Sequence, residues 1–218
     1  MKILLTGFEP NDNGLNASEI LIRSLKTNPT PEIVDALDSL RFEVMPGNTN
    51  QLEISLHKLF QQHSPDICIL TGQSDRNKIT IERIATNIRN FRTPDRAGHV
   101  PKHQKICENG PAAYWTTLNN LDSLVSVLES NNIPAAISNY GGTHLCNQIL
   151  YLALHFASTR SLNMPAGFIH IPVLPEQVIK ERPLFPFMPL EMTRQALSLI
   201  IKEVIRAAKG ENNSALFE

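Results

Sequence analysis

Five short runs of apolar and β-branched residues constrain this chain more than any other feature: KILLTGF (2–8), RFEVM (41–45), DICIL (66–70), AAIS (135–138) and GFIHIP (167–172). Runs of this length and composition read as buried strands. Between them lie segments with helical spacing at 16–27, 49–62, 121–131, 145–158 and 190–208. In the first, Asn16 is placed to act as N-cap while Ile20, Leu21 and Leu25 share one face. Strand and helix alternate, which predicts an α/β fold: a three-layer α/β/α sandwich around a mostly parallel, twisted sheet. Such sheets hold their sites at the carboxyl ends of the strands.

The remaining stretches are less regular. ITIERIATNIRNF (79–91) alternates as a strand, and TPDRAGHVPKHQ (93–104), rich in Pro, Gly and charge, reads as a long surface loop or hairpin connection. PEQVIKERPLFPFMPL (175–190) is dense in proline and reads as an ordered irregular crossing before the last helix. We expect one domain over residues 1–210 and a flexible tail, ENNSALFE, over 211–218.

At 218 residues with 42% hydrophobic content, the chain is long enough to bury a sizeable core. A net charge of -1 with scattered Lys and Arg leaves no basic stripe for nucleic acid. Nor is there a run of about 18 apolar residues to span a membrane. MKILLTGFEP lacks an export signal, so a cytoplasmic location is expected. Three cysteines, Cys68, Cys107 and Cys146, without CxxC spacing argue for free thiols rather than a disulfide framework or a thiolate zinc site.

Cys146 stands at the start of a helical segment, behind the glycine-containing turn of SNYGGTHLCN (138–147). Unpaired amides and the helix dipole there favour a thiolate, and the same amides can hold an oxyanion. A cysteine nucleophile also needs a base and a group to orient that base. His57, His63, His99, His103 and His155 sit on polar faces, in the loop or inside a helix. His170 differs, because it interrupts the apolar strand GFIHIP; a satisfied core histidine is the plainer reading. Glu82 has the same peculiarity inside ITIERIA, where pairing with Arg83 or Arg92 is the plainer reading. Cys68, inside DICIL, and Cys107, in a polar stretch, fit ordinary structural roles.

Several long motifs, in order, now point to one family: KILLTGFEP, GQ followed by ITIERIATN, RTPDRAGHVP, ENGPAAYWTTL, SNYGGTHLCN and FIHIPVLPEQ. Over nearly its whole length the chain resembles the pyroglutamyl peptidase I (pyrrolidone-carboxylate peptidase) family of cysteine peptidases. The resemblance implies that Glu82, Cys146 and His170 occupy the three catalytic positions. It implies removal of an N-terminal pyroglutamyl group from small peptides through a thioacyl-enzyme, with Arg92 supporting the oxyanion. No metal or organic cofactor is called for, and a homo-oligomer, tetramer or dimer, is implied.

The acyl pocket departs from the family's pattern. Members usually read GFEPFGG and then Asn-Pro-Ser, whereas this chain reads GFEPNDNGLNAS, so Asn11 replaces an aromatic and Ala17 the proline. His144 takes the place of a second aromatic, just before Leu145 and the nucleophile. Gln73 and Phe8 match pocket residues, and GQSDRNKITIER lacks the usual glycines and is one residue shorter. A lost stacked ring weakens recognition by roughly 0.5 to 1.5 kcal/mol beyond area burial. The alternative reading is therefore a related cysteine amidase, lactam hydrolase or acyl transferase acting on a different small acyl group.

Overall fold

The computed structural model describes residues 1–10, 14–118, 120–180 and 184–210. Its strands are β1 (Ile3–Phe8), β2 (Leu40–Met45), β3 (Ile67–Ser74), β4 (Ile79–Glu82), β5 (Ile84–Thr86), β6 (Ala113–Trp115), β7 (Ala135–Ser138) and β8 (Ala166–Pro172). Its α-helices are α1 (Ala17–Thr27), α2 (Thr49–His63), α3 (Leu121–Ser130), α4 (Leu145–Thr159), α5 (Pro175–Lys180) and α6 (Leu190–Ala208). Six strands form one mixed sheet in the order β2-β1-β3-β8-β4-β7, parallel except where β4 runs against β8. β5 and β6 pair as a separate antiparallel ribbon.

Strand alternation assigns each side chain to a layer. Ile3 and Leu5, Ile67 and Ile69, Ile79 and Ile81, and Ile169 and Ile171 face the core shared with α1, α3 and α6. Leu4, Cys68, Leu70 and Phe168 face the opposite core, shared with α2 and α4. By the same parity Gly72, Thr80, Glu82 and His170 belong to the α4 side. The register sets them together: His170 is the neighbour of Gly72 on β3 and of Thr80 on β4, with Glu82 one diagonal step away.

The helix ends follow from local chemistry. Asn16 caps α1, its Oδ1 accepting from Ser18 N at 2.9 Å. Asn48 caps α2 by accepting from the amides of Asn50 and Gln51. α4 is apolar almost all round because it is covered by the sheet, by α2 and by the β5–β6 ribbon. Among the described residues no helix is long and apolar enough to cross a membrane.

Two stretches differ from expectation. The 79–91 alternation is not one strand: β4 stops at Glu82, Arg83 N turns to Ser138 O at 2.7 Å, and β5 then joins β6 instead of the main sheet. The ribbon's second strand, only three residues long, left no periodic trace. The 175–190 crossing opens with a short helix, α5, because Pro175 starts a helix without needing its own N–H. The 93–104 loop is ordered by Asp95, whose carboxylate accepts from the amides of Thr49, Ala97 and His99. Those three bonds outweigh burial and hold the Asp95 carboxyl below its ordinary range. An isolated bridge between Arg89 and Gln104 gives the loop its hairpin base. The tail at 211–218 lies outside the described residues.

Candidate active site

Cys146, His170 and Glu82, which sequence reasoning singled out one by one, meet on the α4 side of the sheet. His170 Nδ1 lies 2.8 Å from Glu82 Oε1, and both side chains are buried, 5% and 0% exposed. With Nδ1 taken by the carboxylate, Nε2 is the ring nitrogen left for the Cys146 thiol, which hydrogen-bonds the same imidazole. Burial alone would lower the His170 pKa. The neighbouring Cys146 sulfur and the Glu82 carboxylate overcome it and raise the pKa to about 9. Burial would raise the Glu82 pKa, but the bond and charge from His170, the nearby Ser138 hydroxyl and the charge of Arg76 lower it to about 2.

Each side chain is delivered by a specific piece of backbone. Cys146 is the second residue of α4, whose N-cap, His144, is extended and makes no side-chain cap. Among the described residues the amides of Cys146 and Asn147 therefore meet no acceptor, and they stand at the positive end of a 15-residue helix. The turn that leads there uses Gly142 at φ +83°, a conformation L side chains rarely adopt. Opposite the thiol, Gly72 leaves the room Cys146 needs: a Cβ there would sit 3.0 Å from Sγ and 2.7 Å from the Phe168 ring.

Asn147, next to Cys146, was not singled out by sequence reasoning. Its Oδ1 accepts from Thr86 N at 2.9 Å, and its Nδ2 donates to Thr86 O and Ile88 O at 2.8 and 3.2 Å. One side chain thus locks the chain leaving Glu82 onto the start of α4. Arg76 was missed as well. It reaches Glu82 Oε1 and Thr80 Oγ1 through Nη1 and Tyr140 O through Nη2. Neither Arg83 nor Arg92 fills that position: Arg83 turns to Asn139, 3.3 Å away, and Arg92 is exposed.

A pocket of about 180 Å³ opens beside the thiol, with Phe8, Gln73, His144, Leu145 and Cys146 in its wall. These are four of the expected acyl-pocket residues together with Cys146; the fifth, Asn11, lies outside the described residues. Arg92 is not in the wall, and the guanidinium there is that of Arg96, paired with Glu9 at 3.1 Å. Gln73 Oε1 accepts from Ala17 N at 2.9 Å and Gln177 Nε2 at 3.0 Å, which commits its carbonyl and leaves its NH2 to donate. The His144 ring packs on Phe91 with centroids 3.9 Å apart, and Nε2 stands 3.3 Å from Thr93 O. Burial keeps the His144 pKa below its ordinary value, against the smaller opposing pulls of Thr93 O and Asp95. The neutral ring then carries its proton on Nε2, facing the Thr93 carbonyl.

Such a constellation has the parts of a nucleophilic acyl-transfer centre, and comparison with known proteins agrees. Residues 1–207 match the family described as pyroglutamyl peptidase. The chain belongs to that family. It is 36% identical over 206 residues to the pyrrolidone-carboxylate peptidase of Thermococcus kodakarensis, covering 94% of this chain and 96% of that one. It is 37% identical over 207 residues to the pyrrolidone-carboxylate peptidase of Finegoldia magna, covering 94% and 93%. Among solved structures, the pyrrolidone carboxyl peptidase from Thermococcus litoralis superposes with a TM-score of 0.88 at 31% identity, covering 100% of this chain and 99% of that one. Pyroglutamyl peptidase I of Bacillus amyloliquefaciens gives 0.83 at 34%, covering 95% and 97%.

Proposed function

We propose that this chain is a cysteine peptidase that removes the N-terminal pyroglutamyl group from peptides, with Cys146 as nucleophile, His170 as base and acid, and Glu82 as orienter. The observation that carries the reading is the buried bond from His170 Nδ1 to Glu82 Oε1, on an imidazole whose other nitrogen serves the Cys146 thiol. Cys146 sulfur, its proton held by His170, attacks the pyroglutamyl carbonyl and forms a C–S bond. The carbonyl oxygen becomes an oxyanion among the amides of Cys146 and Asn147, which have no acceptor among the described residues. His170 then gives its proton to the leaving amine as the C–N bond breaks, leaving the thioacyl-enzyme. Water, deprotonated by His170, cleaves the C–S bond and releases pyroglutamate. Glu82 fixes the imidazole tautomer and stabilises its cation throughout.

Phe8, Gln73, Leu145 and His144 would enclose the acyl ring, with the Gln73 NH2 as a donor for an acceptor on it. Arg92, from its exposed position, would have to swing inward to assist the oxyanion. We also infer a cytoplasmic location and a homo-oligomer, tetramer or dimer; the second draws support from exposed apolar side chains at Trp115, Ile179 and Leu184. The decisive assay is release of fluorophore from a pyroglutamyl-coumarin amide. Turnover by the wild type and none by Cys146→Ala is expected; an inactive wild type whose Cys146 still alkylates normally would overturn the assignment of substrate.

A further inference from the structure

We propose that Arg76 is a positioning residue of this reaction: its guanidinium clamps Glu82 behind His170 and ties that carboxylate to the loop that delivers Cys146. This rests on the triad reading above.

Arg76 belongs to the short connection between β3 and β4, the piece in which this chain lacks the family's usual glycines. From there one nitrogen, Nη1, serves both Glu82 Oε1 and Thr80 Oγ1, while Nη2 donates to Tyr140 O at 2.6 Å. Thr80 Oγ1 in turn donates to the same Glu82 oxygen at 3.1 Å. Glu82 Oε1 thus gathers three donors, from Arg76, Thr80 and His170; of these residues His170 alone exchanges a proton in the reaction, at Nε2, while its Nδ1–H stays on Glu82. Tyr140 lies in the 139–144 turn between β7 and α4, six residues before the nucleophile. The guanidinium fork therefore spans the orienter's strand and the nucleophile's loop, which a point-like ammonium does less well.

The Arg76 side chain is 29% exposed and Glu82 is 1% exposed, so the pair stands at the edge of the buried site, with the carboxylate inside. The titratable groups that face Glu82 among the described residues are Arg76 from the β3–β4 connection and His170 from β8, with Cys146 of α4 beyond His170. Arg83, next along the chain, is turned to Asn139. Arg76 consequently has two effects on His170. It fixes the acceptor that His170 needs, and as a cation it opposes the imidazolium charge. Removing it loosens the acceptor and makes the imidazolium easier to hold.

The experiment compares wild type, Arg76→Gln and Arg76→Lys by kcat and KM on a pyroglutamyl-coumarin amide and by the pH dependence of iodoacetamide alkylation at Cys146. The alkylation needs no substrate, so it reads the Cys146–His170 pair even where the substrate assignment fails. Arg76→Gln is expected to lower kcat about tenfold, a part of what a general acid–base contributes, with KM within about twofold. Its upper alkylation inflection should move to higher pH by about half a unit to one unit, as expected for loss of a nearby cation. Arg76→Lys should bring the inflection back while recovering kcat only in part. Wild-type kcat in Arg76→Gln overturns the proposal. Equal losses in both variants with an unmoved inflection also overturn it, since a purely structural role would act that way. Should Arg76→Gln fail to fold, Arg76→Lys decides alone: wild-type kcat overturns, and a few-fold loss with unchanged KM and melting temperature supports.

Discussion

His170 Nδ1 and Glu82 Oε1 stand 2.8 Å apart inside the protein, and their pKa values move in opposite directions, that of His170 raised by Cys146 first and Glu82 second, that of Glu82 lowered chiefly by His170. His170 titrates at about 9 in the folded chain against an ordinary value of 6.5, so its contribution to stability is complete below about 6.5 and is lost as pH rises through about 9. Glu82 titrates at about 2 against 4.5, so its contribution is complete above about 4.5 and is lost as pH falls through about 2. The urea midpoint should therefore fall on both sides of that range. Glu82→Gln should remove the acid arm and reduce the alkaline one, Cys146 supplying the remainder. An unchanged profile in Glu82→Gln would show that the pair does not govern these arms.

Catalysis should lose its alkaline side for the same reason. On the proposed mechanism His170 must hold a proton to release the leaving amine, so kcat is expected to fall as pH rises through about 9. A rate still climbing well above that pH would remove His170 as the general acid.

Gly72 gives a sharper geometric test. An alanine Cβ would lie 2.7 Å from Phe168 Cζ and 3.0 Å from Cys146 Sγ. Since Gly72 is held in register against His170 of β8, the side chains should yield before the backbone does. Gly72→Ala should cost about 1–3 kcal/mol through overpacking, and a thiol displaced by about 1 Å should lose about a hundredfold in kcat. Activity near wild type with a normal melting temperature would mean the thiol is not held by this contact.

How much of this was readable beforehand depends on the kind of signal. Glu82 and His170 could be picked out because each breaks an apolar alternation, and alternation also implies which layer a residue faces. Helix limits were legible where a cap announces them, as at Asn16. Arg76 was not legible, because a basic residue on a short connection carries no periodicity, and Arg83 and Arg92 were equally available partners for Glu82. Asn147 hides for another reason: a polar residue in the first helical turn looks solvated, and its partners, Thr86 and Ile88, lie at and just beyond the end of a strand too short to be read. The end of β4 at Glu82 is a tertiary effect: Arg83 O accepts from Thr116 N, and Ile84–Thr86 pair with β6 instead of the main sheet.

His144 bears on substrate preference. It lines the pocket while packed on Phe91, with Nε2 3.3 Å from Thr93 O. Replacement by phenylalanine gives up that bond, which costs the loop some stability, and restores an apolar ring wall worth about 0.5–1.5 kcal/mol to a small lactam. His144→Phe should therefore lower KM for a pyroglutamyl amide several-fold with kcat little changed and a slightly lower melting temperature. A higher KM would show that the imidazole itself contacts the acyl group.

Asn147 should prove nearly as sensitive as the triad although it touches none of the reacting atoms through its side chain. Its amide accepts from Thr86 N and Oγ1 at 2.9 and 3.2 Å and donates to the carbonyls of Thr86 and Ile88. Asn147 is 2% exposed, so Asn147→Ala strands buried backbone groups and should cost about 1–3 kcal/mol. The isosteric Asn147→Asp tests the same idea more finely. It keeps the acceptor for the Thr86 amide but sets a carboxylate against the carbonyl oxygens of Thr86 and Ile88, which the amide NH2 had served. Both variants should release the β5 segment from α4, raising amide hydrogen exchange at 84–88 and lowering kcat more than KM. If Asn147→Asp matches the wild type in exchange and kcat, the donor half of this clamp does not hold the site together.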